Sequence, residues 1–200
     1  MAKTKLTKLD LEPLKVTCTS TDCGNDLHCF RTSRNKGNKT EVGACRQCGA
    51  NLVDWKRVHK KDTTDVQYTF ESLRHELIRH HFWHVEIDEK AITYARKKGI
   101  SGLETAVRSR LRSSVGKANN SYDGRQTPME GSGNPIHYAQ HATASCCRKC
   151  MEYWHGIPKT TDLTEGQIEY LAKLVMLYLI ERMPNVQQDG ERISQVQRSK

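Results

Sequence analysis

Eight cysteines in a chain of 200 residues constrain its fold more than any other feature. Four of them form two short loops, Cys18-Thr-Ser-Thr-Asp-Cys23 and Cys45-Arg-Gln-Cys48, and each loop is followed by a glycine. Zinc prefers four soft ligands at the corners of a tetrahedron, and two tight turns that each carry a cysteine pair bring four thiolates together. The spacing therefore predicts a zinc site formed by Cys18, Cys23, Cys45 and Cys48.

Two further residues beside the first loop are candidate ligands. His28 and Cys29 follow it closely, and either residue can take the place of Cys18 or Cys23. The segment between the two cysteine loops has the Asn, Gly and Thr content of a turn between short strands. We therefore expect a small N-terminal β zinc ribbon.

The chain shows no sign of export or of a membrane span. MAKTKLTKLD has no apolar stretch after its lysines, and the longest apolar run, LVMLYLI at 174–180, is too short to cross a bilayer. We therefore expect a cytoplasmic protein without a membrane partner. In that reducing compartment, clustered cysteines indicate metal binding or catalysis rather than disulfides.

Hydrophobic periodicity predicts a mainly α fold after the ribbon. One helix is expected to start near Val66 and to run without interruption through the histidine-rich stretch 75–84. Asp88 is expected to cap a second helix that Gly99 ends, and a Ser101–Glu104 capping box is expected to open a third. A Thr164–Gln167 capping box is expected to open the last helix. The buried face of that last helix is predicted to consist of Ile168, Leu171, Leu174, Val175, Tyr178 and Leu179.

These elements predict two small units with polar ends. We expect a polar arm at 1–15, a zinc-ribbon domain at 16–60 and a helical domain at 61–184. The polar residues at 185–200 are expected to be disordered.

The stretch QHATASCCRKCMEYWHGIP at 140–158 contains a second group of candidate ligands. On a helix starting near Ala142, cysteines three or four positions apart share a face. The pattern predicts a second metal site formed by His141, Cys147, Cys150 and His155, shielded from water by the neighbouring tryptophan. The alternatives are small buried cysteines in a packed helix, an iron–sulfur cluster, and a reactive thiol among the adjacent cysteines.

The histidine-rich helix supports weaker metal hypotheses. Position 79 is arginine, so His75-Glu76 lacks the second histidine that a zinc protease helix needs four positions after the first. His80 and His84 are four residues apart and are an alternative metal pair. His84 and Glu86 together with the later Cys-x-x-Cys imitate a zinc nucleobase deaminase, but no proline precedes those cysteines.

The net charge of +9 is concentrated in two parts of the chain. Residues 91–117 carry seven Lys or Arg against a single carboxylate, Glu104, and residues 1–60 are also basic. Localised positive charge is typical of a protein that binds a polyanion, and a solubilising surface is the alternative. The predicted nucleic-acid interface consists of Lys97, Lys98, Arg108, Arg110, Arg112, Lys117 and Arg125.

Four motifs of the C-terminal half carry a resemblance: Asp123-Gly-Arg-Gln-Thr-Pro128, Ala139-Gln-His-Ala-Thr143, Cys146-Cys-Arg-Lys-Cys150 and Trp154-His-Gly-Ile-Pro158. Their order resembles an uncharacterised bacterial family of small proteins. That family has no established activity, so the resemblance implies that these residues act together and does not imply a reaction. The N-terminal ribbon is an addition to the family pattern.

Three functions follow from these features. We expect a zinc-binding protein, with one or two zinc ions per chain, that binds nucleic acid through its basic surface. The first alternative is a metal-dependent enzyme acting on nucleic acid or nucleotides, with Asp123 and His141 as catalytic candidates and Arg125 as an oxyanion ligand. The second is an adaptor whose ribbon recognises a protein partner. A metal with an open coordination position would favour the enzyme, and four protein ligands would favour the binding module.

Overall fold

The computed structural model describes residues 16–31, 42–118 and 132–192. This part of the chain is mainly helical, as predicted. Its seven α-helices are α1 (Trp55–His59), α2 (Val66–Leu73), α3 (Leu77–His84), α4 (Glu89–Val115), α5 (Pro135–Ala142), α6 (Arg148–His155) and α7 (Glu165–Arg182).

The N-terminal cysteine segment has no strand within the described ranges, so the β part of the predicted ribbon is not seen there. Two isolated bridges pair Asp22 with Leu27 and His28 with Glu76, and Cys23–Asn25 forms a single 3-10 turn. The second bridge joins the segment to the helical part of the chain. The described part of this segment consists of turns and isolated bridges. The predicted turn between the cysteine loops lies largely at 32–41, outside the described residues.

The predicted continuous helix over 66–84 is instead two helices, α2 and α3. At the break, Glu76 has an extended backbone with φ −90° and ψ 121°. The His28 N–H donates to the His75 carbonyl at 2.7 Å, and the Leu77 N–H donates to the His28 carbonyl at 2.9 Å. Pairing with the N-terminal segment therefore replaces the helical hydrogen bonds that continuation of α2 would have formed.

Helix α4 begins at the predicted cap and is broken at the predicted glycine. The Asp88 carboxylate accepts a hydrogen bond from the Ala91 N–H at 2.9 Å, which confirms the cap. Gly99 has φ 65° and ψ 173°, a combination that is open almost only to glycine. The predicted stop at Gly99 is therefore a break inside α4, and helical residues continue on both sides of it.

The described part of the C-terminal segment packs against this break. The Ile100 and Ser101 N–H groups, which the break frees, donate to the carbonyls of Gln187 and Gln188 at 3.0 and 3.1 Å. The Glu191 N–H also donates to a carbonyl of α4. Backbone groups at the break in α4 therefore have partners in Gln187 and Gln188, and Arg96 of α4 has one in Glu191.

Helix α7 forms the centre of the larger apolar cluster. It packs against α2, α4 and α5, and α3 packs against α5. Its capping box is confirmed, with the Thr164 hydroxyl accepting from the Gln167 N–H at 3.2 Å, and all six residues predicted to be buried are buried. No helix among the described residues is both long enough and apolar enough to cross a bilayer.

A smaller apolar cluster joins the N-terminal segment to the helices. Phe30 and Val53 of that segment pack with Val58 of α1 and Trp154 of α6, beside the buried Cys45. The Trp154 ring centroid lies 6.0 Å from that of Phe30. The segment predicted as a separate ribbon domain thus shares buried residues with the predicted helical domain.

The break in α4 generates a stability prediction. Gly99→Ala should lower the free energy of unfolding by about 2 kcal/mol or more, because the residue would keep a strained φ. Its Cβ would also lie 2.4 Å from the Asp189 backbone carbon. Gly102→Ala in the same helix is the matched control, because its Cβ would meet only the Lys98 side chain, at 3.3 Å. That control should be neutral or stabilising by up to about 1 kcal/mol in urea denaturation. Equal stability of the two variants would contradict the strained break.

Candidate metal centres

Four ligand atoms of the N-terminal segment converge on one point. They belong to Cys23, His28, Cys45 and Cys48, and all lie within 4.8 Å of one another. The Cys23 and Cys45 sulfurs are 3.8 Å apart, and the Cys48 sulfur is 3.4 Å from His28 Nδ1. In a tetrahedral zinc site, with bonds of about 2.3 Å to sulfur and about 2.0 Å to nitrogen, the corresponding edges are about 3.8 Å and about 3.5 Å. The donor set and its spacing therefore fit zinc.

The second cysteine loop is a tight knuckle. The Gly49 N–H donates to the Cys45 carbonyl at 2.8 Å, with Gly49 at φ 78°. Burial opposes ionisation of the Cys45 thiol, but backbone hydrogen bonds from Cys48, Cys29 and Gln47 outweigh it and lower its pKa to about 6. Backbone N–H groups directed at a sulfur favour the thiolate that metals bind.

A carboxylate orients the histidine of this group. His28 Nε2 lies 3.0 Å from the Asp26 carboxylate, which leaves Nδ1 facing the cysteines. The hydrogen bond from His28 lowers the pKa of Asp26. Metal-binding histidines usually donate their other ring N–H to a carboxylate in this way. Asp26 itself adopts a left-handed backbone, with φ 59°, which turns the chain back and brings His28 to the site.

The structure places Cys18 outside this group, which contains His28 beside Cys23, Cys45 and Cys48. The Cys18 carbonyl accepts a hydrogen bond from the Cys29 thiol at 3.4 Å, and the Cys18 thiol interacts electrostatically with Arg79 and Cys150. The reversal after Cys23 brings His28 into the position that the spacing had assigned to Cys18. That substitution was among the sequence alternatives, but cysteine spacing alone did not select it.

Three buried cysteines form a second group at the start of α6. The sulfurs of Cys146, Cys147 and Cys150 all lie within 4.8 Å of one another. Cys147 is the N-cap residue of α6, and Cys150 lies almost one turn into the helix. The helix expected to start near Ala142 starts instead at Arg148, as α6; Ala142 is the end of α5, and the first two cysteines lie in the connecting turn.

Neither histidine predicted for this second site belongs to the group. His155 Nε2 lies 3.0 Å from the Thr143 carbonyl, and Nδ1 lies 3.3 Å from the Tyr170 hydroxyl. Because a carbonyl only accepts, Nε2 carries the hydrogen, and both ring nitrogens have partners within the fold. The His141 ring stacks on Phe82 with centroids 4.4 Å apart.

A buried ion pair that the sequence analysis missed lies beside the three cysteines. Arg79 donates from Nε to the Glu76 carboxylate at 3.0 Å, from Nη1 to the His141 carbonyl at 2.5 Å, and from Nη2 to the Cys150 sulfur at 3.2 Å. Glu76 also accepts from the Trp154 indole at 2.5 Å. Arg79 and Glu76 are 2% and 1% exposed, so the fold holds both groups away from water. The available signal in the sequence was their spacing of three residues; in the structure Glu76 is the N-cap of α3 and Arg79 lies in its first turn.

The polar residues between α5 and α6 form an internal network. The Thr143 hydroxyl donates to the Ala139 carbonyl at 2.8 Å, and the Gln140 amide donates to the Ser145 carbonyl at 3.2 Å. Arg148 donates to backbone carbonyls at Val115, Pro158 and Thr161. For these residues the contacts favour the role of a scaffold that fixes the turn, in preference to the role of a phosphate-binding site. Asp123 and Arg125 lie outside the described residues.

Three of the predicted nucleic-acid contacts, on α4 and just after it, are engaged in ion pairs. Arg108 pairs with Glu169 at 2.9 Å, Arg112 with Glu165 at 2.5 Å, and Lys117 with Asp162 at 2.9 Å. Two of these pairs fasten α4 to α7, and all three involve exposed or half-buried groups. Lys97 is exposed on the same helix.

A groove of about 580 Å³ lies along α4 and the start of α5. Lys98 and Arg110 contribute positive charge to it, and its lining, as far as the structure describes it, contains no carboxylate. The uncharged polar and aromatic groups that line it include Tyr94, Thr105, Ser109, Ser113 and Asn134.

The histidines of α3 stay away from both groups. The rings of His80 and His84 lie 4.2 Å apart at the protein surface, and His84 Nδ1 is 2.7 Å from the His80 carbonyl. Neither residue joins the ligand groups formed by the described residues, so the deaminase-like arrangement with Cys147 and Cys150 is not assembled.

A family model matches residues 67–180, more than half of the chain. The chain belongs to the DUF4186 family, described as a domain of unknown function. The matched region contains Glu76, Arg79, the three clustered cysteines and the α4 groove, whereas the four-ligand group lies before it. The expected relationship to an uncharacterised family is thereby supported. No solved structure matches the chain.

The buried histidine generates a prediction on pH. Burial lowers the pKa of His155 from 6.5 to about 4. The unfolded chain therefore takes up this proton near pH 6.5 and the folded chain only near pH 4, so stability present above pH 6.5 is lost as the pH falls. The loss attributable to His155 approaches about 3 kcal/mol at pH 4.

His155→Gln should remove this component. Urea unfolding between pH 7 and pH 4 should then show a shallower decline for the variant than for the wild type, by close to one proton. Metal release at low pH affects both proteins, so the difference between them isolates His155. Parallel declines would show that the residue does not titrate as its burial requires.

Proposed function

We propose that this protein binds zinc through Cys23, His28, Cys45 and Cys48, and that this zinc is structural. The observation that carries the proposal is the convergence of four ligand atoms within 4.8 Å, with edges close to those of a zinc tetrahedron. Four protein ligands leave no coordination position for water or substrate. This favours a binding protein over a metal-dependent enzyme at this site.

Burial of the second loop supports a structural role. Cys45 belongs to the apolar cluster that also contains Phe30, Val53 and Trp154. A metal that fixes this loop contributes its binding free energy to the folding of the segment and to the cluster it shares with the helices. Free cysteines at the site also suit a reducing compartment such as the cytoplasm.

The zinc proposal predicts which substitutions remove the metal. His28→Gln and Cys45→Ser should each lose about one zinc per chain after dialysis against a moderate chelator, and both should lower the melting temperature. Cys29→Ser is the matched control, because Cys29 is buried beside His28 but is not part of the ligand group. It should keep the wild-type zinc content by elemental mass spectrometry. Unchanged zinc in both ligand variants would defeat the proposal.

We further propose that the protein binds nucleic acid along the α4 groove. Lys98 and Arg110 supply positive charge in a lining without carboxylates, and hydroxyl groups beside them are suited to phosphate oxygens. Residues 102–113 of the groove rise about 16 Å along the helix, which suits an extended chain better than a single small anion. The half-buried Tyr94 ring provides a surface on which a base can stack.

The ion pairs of α4 sharpen this proposal. Arg108 and Arg112 are neutralised by carboxylates of α7, so they would have to lose those partners to contact phosphate. Lys98 and Arg110 have no ion pair with a carboxylate among the described residues. Binding should therefore depend on the groove and not on the total charge of the helix.

Two charge-matched double variants test the groove. Replacing Lys98 and Arg110 with glutamine should weaken binding and reduce the slope of log K against log salt by about 1.4 for single strands or about 1.8 for duplexes. Replacing Arg108 and Arg112 with glutamine removes the same formal charge and should change the slope less. Fluorescence anisotropy with single- and double-stranded DNA and RNA across a salt series measures both.

Two results would contradict the groove. Equal slopes for the two variants would indicate that net charge alone governs binding. Undetectable binding of the wild type at low salt would remove the nucleic-acid proposal and favour the alternative in which the N-terminal segment recognises a protein.

A further inference from the structure

Three buried cysteines and a buried arginine meet between α3 and α6, and the proposed function uses none of them. We propose that Cys146, Cys147 and Cys150 form a second metal site for a divalent thiophilic ion such as Zn²⁺, with Arg79 as its positioning residue. Thiolates bound to one zinc ion lie about 3.8 Å apart, and the three sulfurs here lie within 4.8 Å of one another. Small adjustments would bring them onto one ion.

The same knuckle occurs at both cysteine groups. In the N-terminal group, the backbone N–H of Cys48 donates to the sulfur of Cys45, three residues earlier. In the second group, the backbone N–H of Cys150 donates in the same way to the sulfur of Cys147. Both pairs have the Cys-x-x-Cys spacing of zinc knuckles. The second group therefore shares the Cys-x-x-Cys spacing of the first, with the earlier cysteine outside a helix and the later one inside α6.

The position of Arg79 distinguishes a metal site from ordinary packing. Buried cysteines that act only as small apolar residues need no cation, and burying a guanidinium is unfavourable unless its donors have partners. Arg79 nevertheless directs Nη2 at the Cys150 sulfur at 3.2 Å. A charge-assisted hydrogen bond of this kind stabilises a thiolate and orients it.

Charge balance favours a divalent ion. Three thiolates with a divalent ion carry a net charge of −1, whereas a monovalent ion would leave −2 in the buried site. Arg79 lies beside this group and also donates from Nε to the Glu76 carboxylate at 3.0 Å. Three protein ligands leave the fourth tetrahedral position to a small donor from outside the group.

Arg79 would act on the metal through Cys150 and not as a ligand. Partners that orient metal ligands typically contribute about 10- to 100-fold to affinity. Arg79→Lys keeps the charge but loses the planar fork that reaches Glu76, His141 and Cys150 together. It should weaken zinc binding at the second site about tenfold or more in chelator competition, and leave the N-terminal site unchanged.

Counting zinc per chain tests the site directly. Native mass spectrometry of the unchanged full chain, purified without a tag, should give two zinc ions. Cys150→Ser should give one, and Cys45→Ser, which alters the N-terminal group, should also give one. Cys29→Ser is again the control and should give two, because its cysteine is buried but belongs to neither group.

The outcomes separate this proposal from the zinc proposal for the N-terminal group. One zinc in the wild type that is kept by Cys150→Ser and lost by Cys45→Ser would overturn the second site alone. Zinc lost by Cys150→Ser and kept by Cys45→Ser would support the second site and contradict the first. If Cys150→Ser does not fold, the zinc counts of the unchanged chain and of Cys45→Ser decide. One zinc in the unchanged chain and none in Cys45→Ser would refute a second site.

Discussion

The buried pair formed by Arg79 and Glu76 is the interaction on which the rest of the structure depends. The guanidinium joins the start of α3 to the end of α5 through the His141 carbonyl and to α6 through the Cys150 sulfur. Glu76 adds the Trp154 indole to the same network. Removing one member of a buried charge pair leaves the other unpaired in a low-dielectric interior, at a cost of about 3–5 kcal/mol. The pair therefore fixes how three helices meet. It does not by itself make the protein more stable than well-packed apolar residues at the same positions would.

The same network connects the two cysteine groups. His28, a candidate zinc ligand, is hydrogen-bonded through its backbone to His75 and Leu77, on either side of Glu76. Glu76 in turn contacts Arg79, which contacts Cys150 of the second group. The break between α2 and α3 makes this connection, because a continuous helix would have used those backbone groups internally. A short chain of hydrogen bonds thus joins the two groups within one buried network.

The sequence was informative where a local rule decides the structure. The cap at Asp88, the break at Gly99 and the Thr164–Gln167 capping box each depend on a few adjacent residues, and all three were predictable. Pairing between distant segments was not predictable: the bridge from His28 to Glu76 and the contact from Arg79 to Cys150 join residues far apart in the chain. Spacing likewise found the cysteines but could not exclude histidines such as His155, whose ring nitrogens are engaged within the fold.

Electrostatics divides the basic helix α4 into two parts with different roles. A cation paired with a carboxylate across a helix interface contributes to packing and little to the external field, as at Arg108 and Glu169. A cation in a groove without carboxylates, such as Lys98 or Arg110, keeps its field directed outward. The net charge of +9 therefore overstates the charge that this helix can offer to a polyanion. The residues that bind a polyanion therefore have to be identified by where positive charge is unopposed. Residues of the same type on one helix differ in whether a carboxylate pairs with them.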